Sequence, residues 1–401
     1  MRLLHVVPTY VPAWRHGGPV LAVHGLCKAL SARGHAVTVF TTDVHGADTL
    51  DVPRASAVTV DGVEVYYFPV RFPRRLYRSP AMGAALAAEV AGFDVVHLHS
   101  VFLWPTAAAA RAAEDAGVPY LVAPRGMLVG ELLRRRGRSR KALWLRLVER
   151  HTLARAAGLH VTSQLEADEA ACLGLRLPPA FVVPNGVDAA PAAARRDAEL
   201  AAPVRAALAR RPLLLYLGRI SWKKGLDRLI AAMPLVPGAT LAIAGNDEEG
   251  YRKPLERLAA GLGVGDRVVF LGPVHGADKA ALLHGADGLA LASYSENFGN
   301  AVLEAMAAAL PVVVTREVGL AGVVRETGAG LVAAGEPPQL AAALRRLLDD
   351  ADGRRMMGGR GAEAAAQRFG WASVAASMEA VYERVADHRL PVLRSAGAPR
   401  P

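Results

Sequence analysis

Residues 288–315 read GLALASYSENFGNAVLEAMAAALPVVVT. Gly288 to Ser293 is an apolar run of strand length, SENFGN is rich in turn formers, AVLEAMAAAL carries helical apolar spacing and stops before Pro311, and PVVVT is β-branched. Strand, helix and strand in that order build a parallel sheet covered on both faces. Two glutamates stand eight positions apart in this unit: Glu296 in the loop after the strand, and Glu304 one turn inside the helix for which Asn300 is the expected N-cap. The loop Asn297-Phe298-Gly299 can present backbone N–H groups, and the helix start adds partial positive charge, so an anion is favoured there. Glu304 can accept hydrogen bonds from the vicinal hydroxyls of a ribose, as acidic residues do in other nucleotide sites. Glu296 can do the same for a sugar.

The alternation extends along the chain in both directions. LLHVVP, AVTVFTT, VEVYYFP, DVVHLHS, YLVAP, GLHVTS and AFVVPN form one set of strand-like runs, and LLLYLG, TLAIAG, RVVFLG, GLALAS, PVVVT and GLVAA another, with alanine-rich helical patterns between them. An Ala-, Pro- and Arg-rich segment from about Asn185 to Pro212 separates the sets. A chain of 401 residues exceeds one ordinary core, so two domains are expected, residues 1–190 and 191–368, followed by a C-terminal helix over 369–390. The fold class is α/β, with two doubly wound, Rossmann-like parallel-sheet domains facing across a cleft. Ligands of such sheets sit at the carboxyl ends of the strands, which is where functional side chains are to be sought.

Three further groups lie there. Gly17 and Gly18 precede a helical pattern that Gly34 ends, and a glycine pair lets backbone N–H groups approach a phosphate; a plain tight turn has the same signature. His97 and His99 close DVVHLHS on one face of the strand, His99 nearest its end, a pattern equally that of hydrogen-bonded core histidines. Arg219 follows LLLYLG directly and Lys224 precedes the next helix, a spacing suited to clamping two phosphate groups, or to a solvated basic loop.

Composition narrows the classes. An apolar fraction of 52% with 39 Gly and 26 Pro indicates a globular protein rich in turns. Cys27 and Cys172 are far apart, so neither a disulfide framework nor a zinc site is indicated and a reducing compartment fits. MRLLHVVPTYVPAW reads as a first strand rather than a signal peptide, and Val95 to Ala110 falls short of the ~20 apolar residues a bilayer crossing needs. A net charge of +10 favours anionic partners, but aromatic residues are only 6% and none interleaves with the basic run as a stacking motif, which argues against nucleic acid. Asp350-Ala351-Asp352 imitates a metal-binding pattern yet lies at a helix end, and Gly328 to Ala333 imitates a dinucleotide fingerprint without the helix that must follow. The segment Arg134 to Arg150 is strongly basic and carries Leu143, Trp144, Leu147 and Val148 at helical spacing. It is readable as a membrane-surface helix or as a basic loop before a core-packing helix.

SENFGNAVLEAMA with its two glutamates, GRISWKKG, the amino-terminal Gly pair and DVVHLHS together resemble the family 4 glycosyltransferases, retaining enzymes of GT-B architecture. The resemblance extends from residue 1 to about residue 390 and implies that the helix in FGWASVAASMEAVYERV crosses back to the first domain. It implies a UDP- or GDP-sugar donor held mainly by the second domain and a carbohydrate or lipid-linked acceptor held by the first. Arg219 and Lys224 would bind the diphosphate and stabilise the leaving nucleotide, joined by the backbone of Gly17 and Gly18. Glu304 would hold the ribose, with Asn300 beside it; Glu296 and the backbone of Asn297, Phe298 and Gly299 would hold donor-sugar hydroxyls. His99 matches the histidine beside the reacting sugar. Neither a metal ion nor another cofactor is expected, since two cationic side chains can take the developing charge. Members of this family that assemble surface polysaccharide or lipopolysaccharide carry similar PRGML and basic segments, here from Pro124, which implies a cytoplasmic enzyme, peripheral on the inner face of the cell membrane. The rival readings are transfer to a small-molecule metabolite, a nucleotide-sugar epimerase of the same architecture and, more remotely, a nucleic-acid-binding protein.

Overall fold

The structure, a computed structural model, describes residues 1–13, 17–54, 56–129, 143–188, 199–247 and 249–387. The chain forms two compact units, Met1–Gly186 with Trp371–Pro401, and Val187–Gly370. The strands of the first unit are β1 (Arg2–Val6), β2 (Ala36–Thr42), β3 (Val44–His45), β4 (Asp48–Thr49), β5 (Ala57–Val60), β6 (Val63–Phe68), β7 (Val95–His99), β8 (Tyr120–Ala123), β9 (Gly158–Val161) and β10 (Ala180–Val182). Those of the second are β11 (Leu213–Leu217), β12 (Thr240–Ala244), β13 (Val268–Gly272), β14 (Gly288–Leu291), β15 (Val312–Thr315) and β16 (Gly330–Ala333).

In the first unit an 8-stranded sheet runs in the order β10-β9-β8-β7-β1-β2-β6-β5, while β3 and β4 form a separate hairpin. In the second a 6-stranded sheet runs β13-β12-β11-β14-β15-β16. All neighbours pair in parallel except β5, which lies antiparallel on β6 at the sheet edge. The order reverses once in each sheet, between β1 and β7 and between β11 and β14. At such a reversal the two following connections leave in opposite directions and open a crevice at the strand ends. Both glutamates of the SENFGN unit follow β14, Arg219 and Lys224 follow β11, and His99 ends β7. The sequence candidates therefore collect at the two reversals.

Local sequence explains the elements that place them. The helix Gly18–Ala32 opens with Pro19, buries Val20, Val23, Leu26, Cys27 and Leu30 along one face, and is followed by Gly34 at φ 90°. The helix Trp371–Ala386 belongs to the first unit. Its Trp371 ring fills the space over Gly25 and Gly186, where a Cβ would lie 2.2 and 2.4 Å from ring carbons. Glu379 on the same helix pairs with Arg33 and with His35.

The structure corrects one reading and adds to another. The helix over Asn300–Ala307 is capped not by Asn300 but by Gly299, at φ 104°, and Asn300 is its first helical residue. Only a glycine takes that backbone conformation readily before a helix, and SENFGN supplies one. Asp350 does lie at the end of a helix, as the C-cap of Pro337–Asp349, and it also caps the next helix, Ala351–Phe369, accepting the Gly353 N–H at 2.8 Å.

Candidate active site

In the second unit, main-chain bonds tie the loops after β11, β14 and β15 together. The Tyr294 N–H donates to the Lys223 carbonyl at 2.7 Å, the Glu296 N–H to the Glu317 carbonyl at 3.0 Å, and the N–H groups of Gly319 and Leu320 return to the carbonyls of Glu296 and Phe298 at 2.8 and 3.0 Å. Phe298 is buried in the core and so anchors the loop that carries Glu296. The loop after β11 is held from beneath, where the buried Tyr216 hydroxyl donates to the Arg219 carbonyl at 2.7 Å. Lys224 ends a short turn that Gly225 closes at φ 61°, and that turn packs directly on the end of β14. The Lys224 ammonium is thereby ion-paired with Glu296. The other glutamate of the motif also has a lysine: Lys279 Nζ, on the helix Gly276–Gly285, lies 2.8 Å from Glu304 Oε1. Two partly buried lysine–glutamate pairs, Lys224–Glu296 and Lys279–Glu304, thus stand on the segments that follow β11, β13 and β14, and Arg219 lies in the loop after β11 with Lys224.

In the first unit the reversal is filled by histidines. His5 on β1, His97 and His99 on β7 and His160 on β9 are all buried. They form a hydrogen-bonded chain whose two ends fix every proton. The Val183 carbonyl can only accept, so His160 Nε2 donates to it at 2.9 Å and His160 Nδ1 accepts from His97 Nε2 at 3.1 Å. His97 Nδ1 then accepts from the Tyr382 hydroxyl at 2.7 Å, and the Tyr382 oxygen accepts from His5 Nε2 at 3.4 Å. His5 Nδ1 accepts from His99 Nε2 at 3.0 Å, and His99 Nδ1 from Arg125 Nη2 at 3.2 Å. Arg125 can only donate, so the chain closes with every ring neutral and in the same Nε2–H form. His5, His97 and His99 are near enough to one another to hold a metal ion, but their ring nitrogens are already satisfied by this chain. His99, expected beside the reacting sugar, is buried with both nitrogens engaged, so its ring acts on its neighbours.

The backbone around this cluster is strained. Ser100, Phe102 and Arg125 have φ of 74°, 62° and 55°, in the left-handed region that non-glycine residues seldom occupy, and all three follow β7 or β8. Buried carboxylates hold those turns: Glu149 Oε1 accepts the Phe102 N–H at 2.5 Å and the Trp144 Nε1–H at 3.0 Å, and Glu166 Oε1 accepts the Gly126 N–H at 2.6 Å. Gly17 caps the helix Gly18–Ala32 at φ 67°, with Gly18 as its first residue.

With this geometry in place, comparison with known proteins is decisive. Residues 17–186 match the family profile described as "Glycosyl transferase 4-like domain", and residues 202–364 that of "Glycosyl transferases group 1". The chain is 31% identical to a D-inositol 3-phosphate glycosyltransferase of Xylanimonas cellulosilytica, over 93% of each chain. The chain belongs to the family 4 glycosyltransferases. This glycosyltransferase is also 34% identical to a glycogen synthase of Mycobacterium tuberculosis over 99% of both chains. Its fold is that of Anabaena Alr3699/HepE, whose structure was solved in complex with UDP and glucose, with a TM-score of 0.74 and 20% identity over 96% of this chain and 100% of that one. The GT-B architecture and the hexosyltransferase class follow.

Sequence reasoning passed over several residues of the glycosyltransferase that the structure brings together: His5, His160, Tyr382, Arg125, Lys279 and Glu149. Only topology makes them neighbours, although a histidine on each of three strands and an Arg-Gly pair after β8 were visible signals. The histidine chain has a measurable consequence. Burial first, and then the positive charge of Arg125, pulls His5 and His160 from the ordinary 6.5 down to about 3, and burial with mutual repulsion holds His97 and His99 well below 6.5. The other titratable groups facing them, Tyr382 and Cys27, are kept neutral by burial, Cys27 pushed up to about 12. An unfolded chain takes up protons on these rings below about pH 6.5, whereas the folded one resists until far lower. The stability they contribute is therefore complete above pH 6.5 and is lost as pH falls toward 3. Urea midpoints for the first unit should drop steadily from pH 7 to pH 4, and less steeply in His160→Gln.

Proposed function

We propose that this glycosyltransferase moves a hexosyl unit from a UDP- or GDP-sugar to a carbohydrate or lipid-linked acceptor, with retention of configuration and without a metal ion, in the assembly of cell-surface polysaccharide or lipopolysaccharide. The observation that carries the donor half is the β11/β14 reversal, where main-chain bonds tie the loop of Arg219 and Lys224 to the loop of Glu296, Lys224 pairs with Glu296, and Glu304 follows on the next helix, paired with Lys279. Breaking the anomeric bond leaves negative charge on the diphosphate, and fixed cations at that point stabilise it where it develops. Lys224 and Arg219 have that role. Glu304 takes the ribose hydroxyls, and Glu296 with the backbone of Asn297, Phe298 and Gly299 takes hydroxyls of the donor sugar. Gly17 and Gly18 add N–H groups to the phosphates. The UDP and glucose in the HepE complex support a UDP-sugar donor. No described side chain stands out as an enzymic nucleophile in either cluster, which fits attack by the acceptor hydroxyl on the face the nucleotide leaves.

We propose further that it works in the cytoplasm, peripheral on the inner face of the cell membrane. Leu143 and Leu147 are 58% and 67% exposed, four residues apart and flanked by exposed Arg146 and Arg150, which suits contact with an anionic bilayer. Residues 134–142 of that basic segment lie outside the described residues, and no described helix is long and apolar enough to cross a membrane.

A thermal-shift panel of UDP, GDP and their sugars tests the donor reading, because a ligand that binds only the folded state raises its stability. At least one of these nucleotides should raise Tm, its ribo form binding about tenfold or more tightly than its 2′-deoxy form. Glu304→Gln should lose that preference. Equal affinity for both forms in the parent protein would remove Glu304 from the ribose site.

A further inference from the structure

Arg125 is a cation with no anion paired to it among the described residues. Its side chain is largely enclosed and burial works against its charge, yet no described carboxylate lies within ion-pair distance of it. Its described partners are neutral: Nη1 donates to Asn185 Oδ1 at 2.8 Å and Nη2 to His99 Nδ1 at 3.2 Å. Nε is buried and has no partner at all. The nearest acid by its electrostatic effect is Glu166, and both of its oxygens are already committed, Oε1 to the Gly126 N–H and Oε2 to the N–H and hydroxyl of Thr162. Leaving a guanidinium in this condition is costly, because an enclosed charge without a counter-charge forfeits its hydration.

The protein nevertheless holds it in place with care. The main chain at Arg125 is in the left-handed region at φ 55°, and Glu166 clamps the next residue. Through His99 the guanidinium is the donor end of the five-ring hydrogen-bonded chain formed by His99, His5, Tyr382, His97 and His160. That chain can run in one direction only, so His99 Nδ1 is always an acceptor turned to Arg125. A fixed acceptor, His99, thus holds a strained, largely enclosed arginine at the carboxyl end of β8, beside the strand reversal of the first unit, with its Nε–H still unpartnered.

We propose that Arg125 binds an oxyanion, a phosphate or carboxylate group carried by the acceptor, and that the histidine chain with Tyr382 positions it to do so. The proposal rests on the assignment of the first unit to the acceptor and narrows the acceptor to an anionic class. A guanidinium suits either group, since its fork of N–H donors matches two oxygens of a carboxylate or phosphate. The missing counter-charge then arrives with the substrate, so that a neutral analogue is rejected by the same buried charge that welcomes the anion.

The test uses the full chain saturated with UDP or GDP, titrated calorimetrically with glucose 6-phosphate, glucuronate and glucose. The charged probes should bind more tightly than glucose, the stronger of the two identifying the group, and Arg125→Gln should weaken that probe about ten- to hundredfold while nucleotide affinity holds. Arg125→Lys, which keeps the charge without the fork, should fall between. Tyr382→Phe should weaken the same probe with Arg125 intact, and should collapse the uniform Nε2–H pattern in histidine 15N spectra. Three results would overturn the proposal: no preference for the charged probes over glucose, unchanged affinity in Arg125→Gln, or a matching loss of nucleotide affinity, which would assign the anion to the donor diphosphate. Nucleotide binding that fails in the parent protein would instead discredit the donor reading.

Discussion

Lys224→Ala is expected to lower sugar transfer by about a hundred- to a thousandfold while the second unit stays folded. Removing one fixed donor from a developing oxyanion typically costs ~3–4 kcal/mol of transition-state stabilisation. Lys224 has no comparable structural duty. Its ammonium is paired with Glu296, with side chains 19% and 13% exposed, so the substitution leaves a mostly enclosed carboxylate unpaired and lowers the melting temperature somewhat. The tie between the two loops is main-chain, through the Tyr294 N–H and Lys223 carbonyl, and survives the substitution. Initial rates with a saturating donor, read beside the melting temperature, separate the outcomes. A variant within a few-fold of the parent rate would remove Lys224 from the leaving-group site. Lys224→Arg sharpens the assignment, because a planar fork cannot reproduce the point charge of an ammonium and should restore only part of the rate.

Gly225→Ala should damage stability and activity together. Gly225 sits at φ 61°, where a β-carbon costs about 1 kcal/mol, and that carbon would lie 1.9 Å from the Ala292 carbonyl oxygen at the end of β14. Backbone cannot yield as a flexible side chain does, so overpacking adds another ~1–3 kcal/mol. The expected total is about 2–4 kcal/mol, read as a fall in the urea midpoint at unchanged slope. Because Lys224 is the preceding residue and Glu296 lies in the loop after β14, the same clash displaces the ion pair and lowers transfer beyond the loss of folded protein. Gly261→Ala is the matched control. Gly261 ends the helix Arg252–Gly261 with open space at its β-carbon, and the substitution should be neutral or slightly stabilising. Equal stability of the two variants would contradict the close packing of β11's loop on β14.

How much of this was legible in the sequence depends on distance along the chain. Every run read as a strand is a strand, because the centres of parallel sheets are buried on both faces and write continuous apolar stretches such as VVHLH and LLLYL. The β5–β6 hairpin went unread although Asp61-Gly62 between two valine-rich runs is a strong turn signal; its short edge strand alternates exposed and half-buried residues and lacks the apolar run that marks the others. Glu296 and Glu304 were readable as a pair because one loop and one helix carry both. Their lysines were not equally readable. Lys224 follows a neighbouring strand, but Lys279 belongs to a helix from the far side of the sheet, and only the order β13-β12-β11-β14 brings that side near. The histidine chain was beyond reach for the same reason: His5 and Tyr382 are separated by 377 positions, and adjacency of β1 and β7 is a fact of topology.

The central claim is that the cluster at the β11/β14 reversal holds a nucleoside diphosphate, and a crystal structure of the protein with UDP or GDP tests it most directly. The diphosphate should lie against Arg219 and Lys224, with the ribose hydroxyls on Glu304 and the Lys224–Glu296 pair opened or rearranged around it. Clear density for the nucleotide elsewhere, with both lysine–glutamate pairs undisturbed, would contradict the account.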